Sequence, residues 1–178
     1  MTLLEKIPRL NKLSPVYAII VLMVYSWTLW WFLWKLSSWL YYLRIDEILV
    51  ILMYSISVNF IESLSAISLL VGTSLLLPKA WFYDQFVARG TALVLLGLSY
   101  LMYLASLFQD KGDFPRTFIL RLSVPVILII LLLVYISAKV GFIRKVLEEI
   151  ADRATIFLYL VVPISVISIL IVILRNLF

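Results

Sequence analysis

Residues 48–77 read ILVILMYSISVNFIESLSAISLLVGTSLLL, a run of 30 residues with a single charged side chain, Glu62. The hydrocarbon core of a bilayer is about 30 Å thick, and a helix needs about 20 residues to cross it. No water is present there to satisfy a bare backbone, so a segment of this composition has to be helical. The run therefore predicts a transmembrane helix with an acid near its centre.

Four other apolar segments of comparable length accompany this run. The predicted spans are residues 15–34, 48–77, 91–108, 117–138 and 154–174. Their connectors are too short to hold a second folded unit, so we expect residues 1–178 to form one transmembrane helical domain. The predicted fold class is all-α: a polytopic integral membrane protein with five transmembrane helices plus a short amphipathic helix before the last span.

The composition excludes several classes of function. Hydrophobic residues make up 65% of the chain and charged residues 14%, with a mean hydropathy of +1.12, which lies outside the range of soluble domains. The absence of His and Cys removes imidazole and thiolate metal sites, Ser-His-Asp and Cys-His centres, and disulfides. We therefore expect no cofactor, no metal site and no catalytic residue. The 15 Lys and Arg residues are scattered between apolar segments, which argues against a nucleic-acid partner.

The distribution of cations predicts the orientation of the chain, because cytoplasmic loops carry an excess of Lys and Arg. Nine cations fall on the side of the N-terminus: Lys6, Arg9, Lys12, Lys79, Arg89, Lys139, Arg144, Lys145 and Arg153. Six fall on the other side: Lys35, Arg44, Lys111, Arg116, Arg121 and Arg175. We expect a multi-pass protein of the cell (inner or plasma) membrane, with a cytoplasmic N-terminus and an external C-terminus.

Aromatic residues crowd the connector after the first span: Trp30, Trp31, Trp34, Trp39, Tyr41 and Tyr42. Trp and Tyr favour the headgroup layer of a bilayer, where an apolar ring meets a wet edge. We interpret this group as membrane anchors. The alternative is an aromatic cage for a cation or a sugar.

The connector 139–153 has an amphipathic pattern. Charged residues lie between apolar residues that recur at steps of three and four. The apolar residues are Ile143, Val146, Leu147, Ile150, Ala151 and Ala154. This pattern predicts a helix on the membrane surface. The alternative is a polar extension of the fifth span. Both the surface helix and the extension could offer a docking face to a partner.

Glu62 is the most informative residue, since an ionised carboxylate at the bilayer centre costs from about 3 to more than 10 kcal/mol. At about 100° per residue, Ser55, Asn59 and Thr73 share its side of the helix, with Ser65 at the margin. The candidate intramembrane polar site consists of these five residues and Arg121. It fits a proton or cation path in which Glu62 is a protonatable carboxylate or an oxygen ligand. The alternative, which we favour, is a set of hydrogen bonds that hold helices together.

Arg121 lies one turn inside the fourth span. Its guanidinium can extend to the headgroups from that depth. The functional alternative is an intramembrane salt bridge to Glu62, which lies roughly 9 Å deeper.

The second span is also unusually long, since 30 helical residues measure about 45 Å. It must tilt, protrude or break, and a break would fall in the Ser-rich stretch 63–68. We favour a continuous tilted helix. Ser68 with Gly72, and Ala88 with Ala92, have the small-x-x-x-small spacing that permits close helix packing.

The predicted function is that of a non-enzymatic accessory or structural subunit of a membrane assembly. Its expected partners are the lipid bilayer and either other membrane subunits or further copies of the chain. The alternative is a small oligomeric ion or proton channel or transporter that uses Glu62. An enzyme comes third, because most schemes that use carboxylates for acid and base need a second acid near the first.

Overall fold

The computed structural model describes residues 10–76, 85–111 and 116–177, and the regular elements in these ranges are all α-helices. They are α1 (Leu10–Trp39), α2 (Ile45–Leu76), α3 (Phe86–Lys111), α4 (Arg116–Lys139) and α5 (Gly141–Leu177). Each of the five is long and apolar enough to cross a membrane. The prediction of an all-α fold with five such helices is confirmed.

Each helix begins before its predicted span, because hydropathy marks only the apolar part of a helix. The predicted end of the second span, residue 77, lies outside the described residues. The first span was predicted to begin at Pro15, but α1 begins at Leu10 and has Pro15 in its interior. A proline leaves the carbonyl four residues earlier without its helical partner. Here that carbonyl belongs to Asn11, which is exposed, so the lost bond falls on a solvent-accessible turn.

The start of α2 is fixed by charged residues just before and within its first turn. The backbone N–H of Arg44 donates to the Glu47 carboxylate at 2.8 Å, and Arg44 also forms an ion pair with Asp46 at 3.1 Å. A carboxylate that reaches back in this way satisfies a free N–H and complements the positive end of the helix dipole. α2 then continues unbroken to Leu76, so no break occurs in the Ser-rich stretch 63–68.

The segment 139–153 is not a separate amphipathic helix, which corrects that part of the predicted fold. Only Val140 separates the end of α4 from Gly141, where the 37-residue α5 begins. Ion pairs one turn apart, Arg144–Glu148 and Glu149–Arg153, support the polar part of α5. No Gly or Pro lies between Gly141 and Pro163, so nothing in the sequence interrupts the helix there. Residues 141–153 are the polar extension of the last long helix, whereas Lys139 ends α4.

α1 is the central helix of the bundle. It packs against α2, α3 and α5, whereas α4 lies at the side and packs mainly against α3. The largest buried cluster is formed around the first half of α1: Val16, Ala18, Ile19, Ile20, Leu70, Phe86, Val94, Ala151 and Ala154. Gly90 lets α3 approach closely, because a Cβ at this position would lie 3.2 Å from a methyl group of Val16.

Candidate polar site on α2

Glu62 lies at the middle of α2 with its side chain on the exposed surface of the bundle. Most of its neighbours on that surface are apolar: Val58, Ile61 and Leu69 are at least half exposed, and Ser65 is the exposed hydroxyl among them. In the described part of the chain, no hydrogen bond or ion pair reaches the Glu62 carboxylate. An acid without a partner thus stands in an apolar surface.

Asn59 belongs to the same predicted site but faces the interior. It is 4% exposed, and its Oδ1 accepts a hydrogen bond of 2.9 Å from Thr28 Oγ1 on α1. Asn59 and Glu62 are about 60° apart around the helix, and the edge of the α1–α2 contact runs between them. Asn59 joins two helices, and Glu62 lies outside that contact.

The three hydroxyl residues of the predicted site bond to their own helix. Ser55 donates to the carbonyl of Ile51 at 2.8 Å. Ser65 and Thr73 donate to the carbonyls of Ile61 and Leu70, also at 2.8 Å. Such bonds satisfy a hydroxyl within its own helix, so these residues do not form a continuous polar path with Glu62.

Arg121 is exposed on α4, a helix that packs against α3 and α5 rather than broadly against α2. Among the described residues no ion pair joins Arg121 to Glu62. The salt bridge considered from the sequence is therefore not formed within a single chain.

The bundle interior contains hydrogen bonds that are not predicted from the sequence. Tyr25 Oη lies 2.6 Å from Ser165 Oγ of α5 and 3.4 Å from the carbonyl oxygen of Ile56 on α2. Tyr17 Oη lies 3.2 Å from Ser63 Oγ. Because Ser63 and Ser165 are fully buried, these tyrosine hydroxyls tie α1 to both neighbours. The available signal was the placement of Ser63, Ser165 and Ser168 within apolar segments, since buried small residues mark helix contacts.

A groove of about 290 Å³ lies between α1, α2 and α5. Tyr25, Ser26, Thr28 and Asn59 contribute its polar groups, and the rest of the lining is apolar. This lining contains no charged residue, so Glu62 is not part of it. The groove can hold an apolar chain, but its walls offer a cation no charged ligand.

A second groove, of about 520 Å³, lies between the later halves of α1 and α3. Four tryptophans of α1 line it: Trp27, Trp30, Trp31 and Trp34. The α3 side consists of Ser99, Met102, Tyr103 and Ser106. Trp31 packs against Trp27 and Trp34, with ring centroids 5.8 and 5.0 Å apart. The predicted anchoring role of these rings stays a prediction, as does the alternative of an aromatic cage.

Across the described ranges no three side chains of His, Cys, Asp or Glu come together in a group that suits a metal ion. Glu62 is therefore not part of a candidate metal site among the described residues. In chemical terms the polar site on α2 therefore consists of one outward carboxyl, flanked by hydroxyls that are already bonded and by an inward amide.

Comparison of this chain with protein families, with curated proteins and with solved structures finds no match.

Proposed function

We propose that this chain is a non-enzymatic subunit, accessory or structural, of an assembly in the cell (inner or plasma) membrane. In this proposal the five long helices span the bilayer, the N-terminus is cytoplasmic and the C-terminus external. The observation that carries the proposal is the outward, unpartnered Glu62.

The energetic argument concerns the middle of the bilayer, which α2 crosses near Glu62. A charged group exposed to lipid at that depth is strongly unfavourable, and even a neutral carboxyl loses hydrogen bonds that it would make in water. Intramembrane acids therefore face protein or water in nearly all cases. Since one chain leaves Glu62 on its surface, a neighbouring polypeptide is the simplest cover for it.

The interior of the bundle agrees with a structural role. The polar groups between α1, α2 and α5 are engaged in helix-to-helix contacts such as Thr28–Asn59 and Tyr25–Ser165. These contacts bind the helices together and leave the acid outside the bundle.

The second candidate is an oligomeric ion or proton channel or transporter. It is favoured by the same outward carboxyl, which would line a polar central axis if several copies surrounded it. It requires ion or proton flux through purified protein in liposomes, with Glu62→Gln abolishing that flux or shifting its pH dependence.

The test compares native membranes and purified protein. An epitope-tagged chain at native expression level should run in mild detergent as a complex larger than the 20.6 kDa monomer. Glu62→Leu should shift it to the monomer, while Ile167→Leu, a change at another exposed site, on α5, should leave the complex intact. Purified protein in liposomes should give no flux.

Two results would contradict the proposal. One is a wild-type chain that is monomeric in native membranes, and the other is flux from the purified chain that Glu62→Gln removes.

A further inference from the structure

The outward face of α2 carries a heptad-like seam. Starting from Val58, steps of four, three, four and three residues lead to Glu62, Ser65, Leu69 and Gly72. This alternation keeps side chains on one line when two helices wrap around each other with a left-handed crossing. We call these five residues the α2 seam.

The α2 seam has no partner within the described chain. Val58 and Leu69 are 50% and 71% exposed, and Glu62 and Ser65 are also exposed. At Gly72 an added Cβ would meet no atom within 4 Å. The adjacent face of α2 is already occupied, because Asn59, Ser63 and Leu70 are buried against the rest of the bundle.

The seam is shaped for a close helix contact. Ser65 and Gly72, one heptad apart, are small enough to let another backbone approach, and Val58 and Leu69 supply apolar contact area on either side of Glu62. The Ser65 hydroxyl already donates to the carbonyl of Ile61, so burying it leaves no donor unsatisfied.

A second copy of the chain can match the α2 seam without any further residue. Rotation about an axis normal to the membrane keeps every residue at its own depth, so Glu62 of one copy meets Glu62 of a second copy. A protonated carboxyl is both donor and acceptor, and two of them satisfy each other without any further residue. A partner with a cation would instead need a basic side chain at the same depth, and this chain's exposed Arg121 lies near the end of its helix.

We propose that the α2 seam binds the α2 seam of a second copy, with the two Glu62 carboxyls hydrogen-bonded to each other at its centre. This inference rests on the proposed role as a subunit of a membrane assembly and names the first partner in it. The contact is dry and consists of two helices, so it forms no pore.

The natural chain contains no cysteine, so single-cysteine variants report on one position each. Full-length Ser65→Cys and Leu69→Cys variants are placed in liposomes at low protein-to-lipid ratio and oxidised with copper phenanthroline. Ile167→Cys on α5 and Leu132→Cys on α4 are the controls, because both sites are about as exposed as the α2 seam: 56% and 58%. We expect the seam variants to form disulfide-linked dimers at least about tenfold faster than the controls.

The central carboxyl is tested in the Ser65→Cys background. Adding Glu62→Gln should preserve cross-linking, since an amide is also donor and acceptor. Adding Glu62→Leu should weaken association about tenfold. Glu62 is exposed in the single chain, so these changes should leave helical content unaltered by circular dichroism.

Two outcomes would overturn the inference. One is cross-linking at Ser65→Cys no faster than at Ile167→Cys. The other is association of the monomeric chain with a synthetic Leu-rich transmembrane helix that carries one central Lys, lost on Glu62→Gln, which would assign the face to a cationic partner.

Failure of this inference and failure of the proposed function are distinguishable. If purified chains do not cross-link but native membranes still show a Glu62-dependent complex, only the second-copy inference fails. If the chains cross-link along the α2 seam and also conduct ions, the seam stands and the accessory role fails.

Discussion

At the scale of single residues, short polar side chains hold the long helices together. Tyr25 lies where α1, α2 and α5 meet, and its hydroxyl reaches Ser165 on one side and the backbone of Ile56 on the other. Ser168 makes a comparable contact of 3.2 Å to Met53 Sδ. In apolar surroundings such groups have few other partners, so each contact favours one alignment of the helices.

Tyr25→Phe should lower the free energy of unfolding by about 1 kcal/mol, since interhelical hydrogen bonds in membrane proteins contribute about 0.6 kcal/mol on average and up to about 1.7. The measurement is unfolding in mixed micelles, followed by circular dichroism. Tyr42→Phe is the control, because that ring is 78% exposed in the α1–α2 connector. Equal stability of the two variants would show that the Tyr25 hydroxyl contributes nothing.

The sequence predicts which residues are polar and how far along a helix they lie, but it does not predict which way they face. Glu62 and Asn59 share a side of the helical wheel, yet Asn59 is buried on Thr28 and Glu62 is exposed. The wheel gives angles within one helix, whereas the direction of each residue depends on where α1 packs. The sequence places Ser63 within an apolar segment, but its contact with Tyr17 depends on the same packing of α1.

At the scale of elements, the number of long helices follows from composition, and their ends do not. The predicted spans 48–77 and 91–108 lie within or close to α2 and α3, but α3 starts earlier, at Phe86. Polar extensions such as 141–153 remain helical because ion pairs and the buried Ala151 and Ala154 support them. Hydropathy alone detects none of these contributions.

The continuity of α5 across the predicted boundary at 153 and 154 is testable by distance. In the cysteine-free chain, spin labels on Val146→Cys and Leu160→Cys lie 14 residues apart, which is about 21 Å along an unbroken helix. Tyr54→Cys and Ser68→Cys give a control pair of the same spacing inside α2. The pulsed electron resonance distances of the two pairs should agree, and a clearly shorter or broader one in α5 would reveal a break.

At the scale of the whole molecule, α1 forms the centre and α4 the periphery. The buried cluster lies around the first half of α1, and much of α4 is exposed: Val124, Ile127, Leu128, Ile129, Leu131 and Leu132. In the proposed orientation the cytoplasmic half of the bundle is the tightly packed one, and the two grooves lie toward the middle and the external half.

The proposed orientation is tested with single cysteines and a membrane-impermeant maleimide. Tyr42→Cys, in the connector after α1, should be labelled in intact cells. Asp152→Cys, in the polar part of α5, should be labelled only after the membrane is permeabilised. Ile167→Cys should resist labelling in both conditions, and the reverse pattern for the first two positions would place the N-terminus outside.

The position of α1 has a consequence for how the chain is made. Tyr25 leaves the ribosome 140 residues before its partner Ser165, and the packing around α1 is incomplete until α5 arrives. Until α5 is made, Tyr25 lacks the Ser165 hydroxyl, whereas Tyr17 and Thr28 can already bond to Ser63 and Asn59 of α2. We infer that the packing around α1 is completed only once α5 has been synthesised, and that chains terminated before α5 leave this packing unfinished.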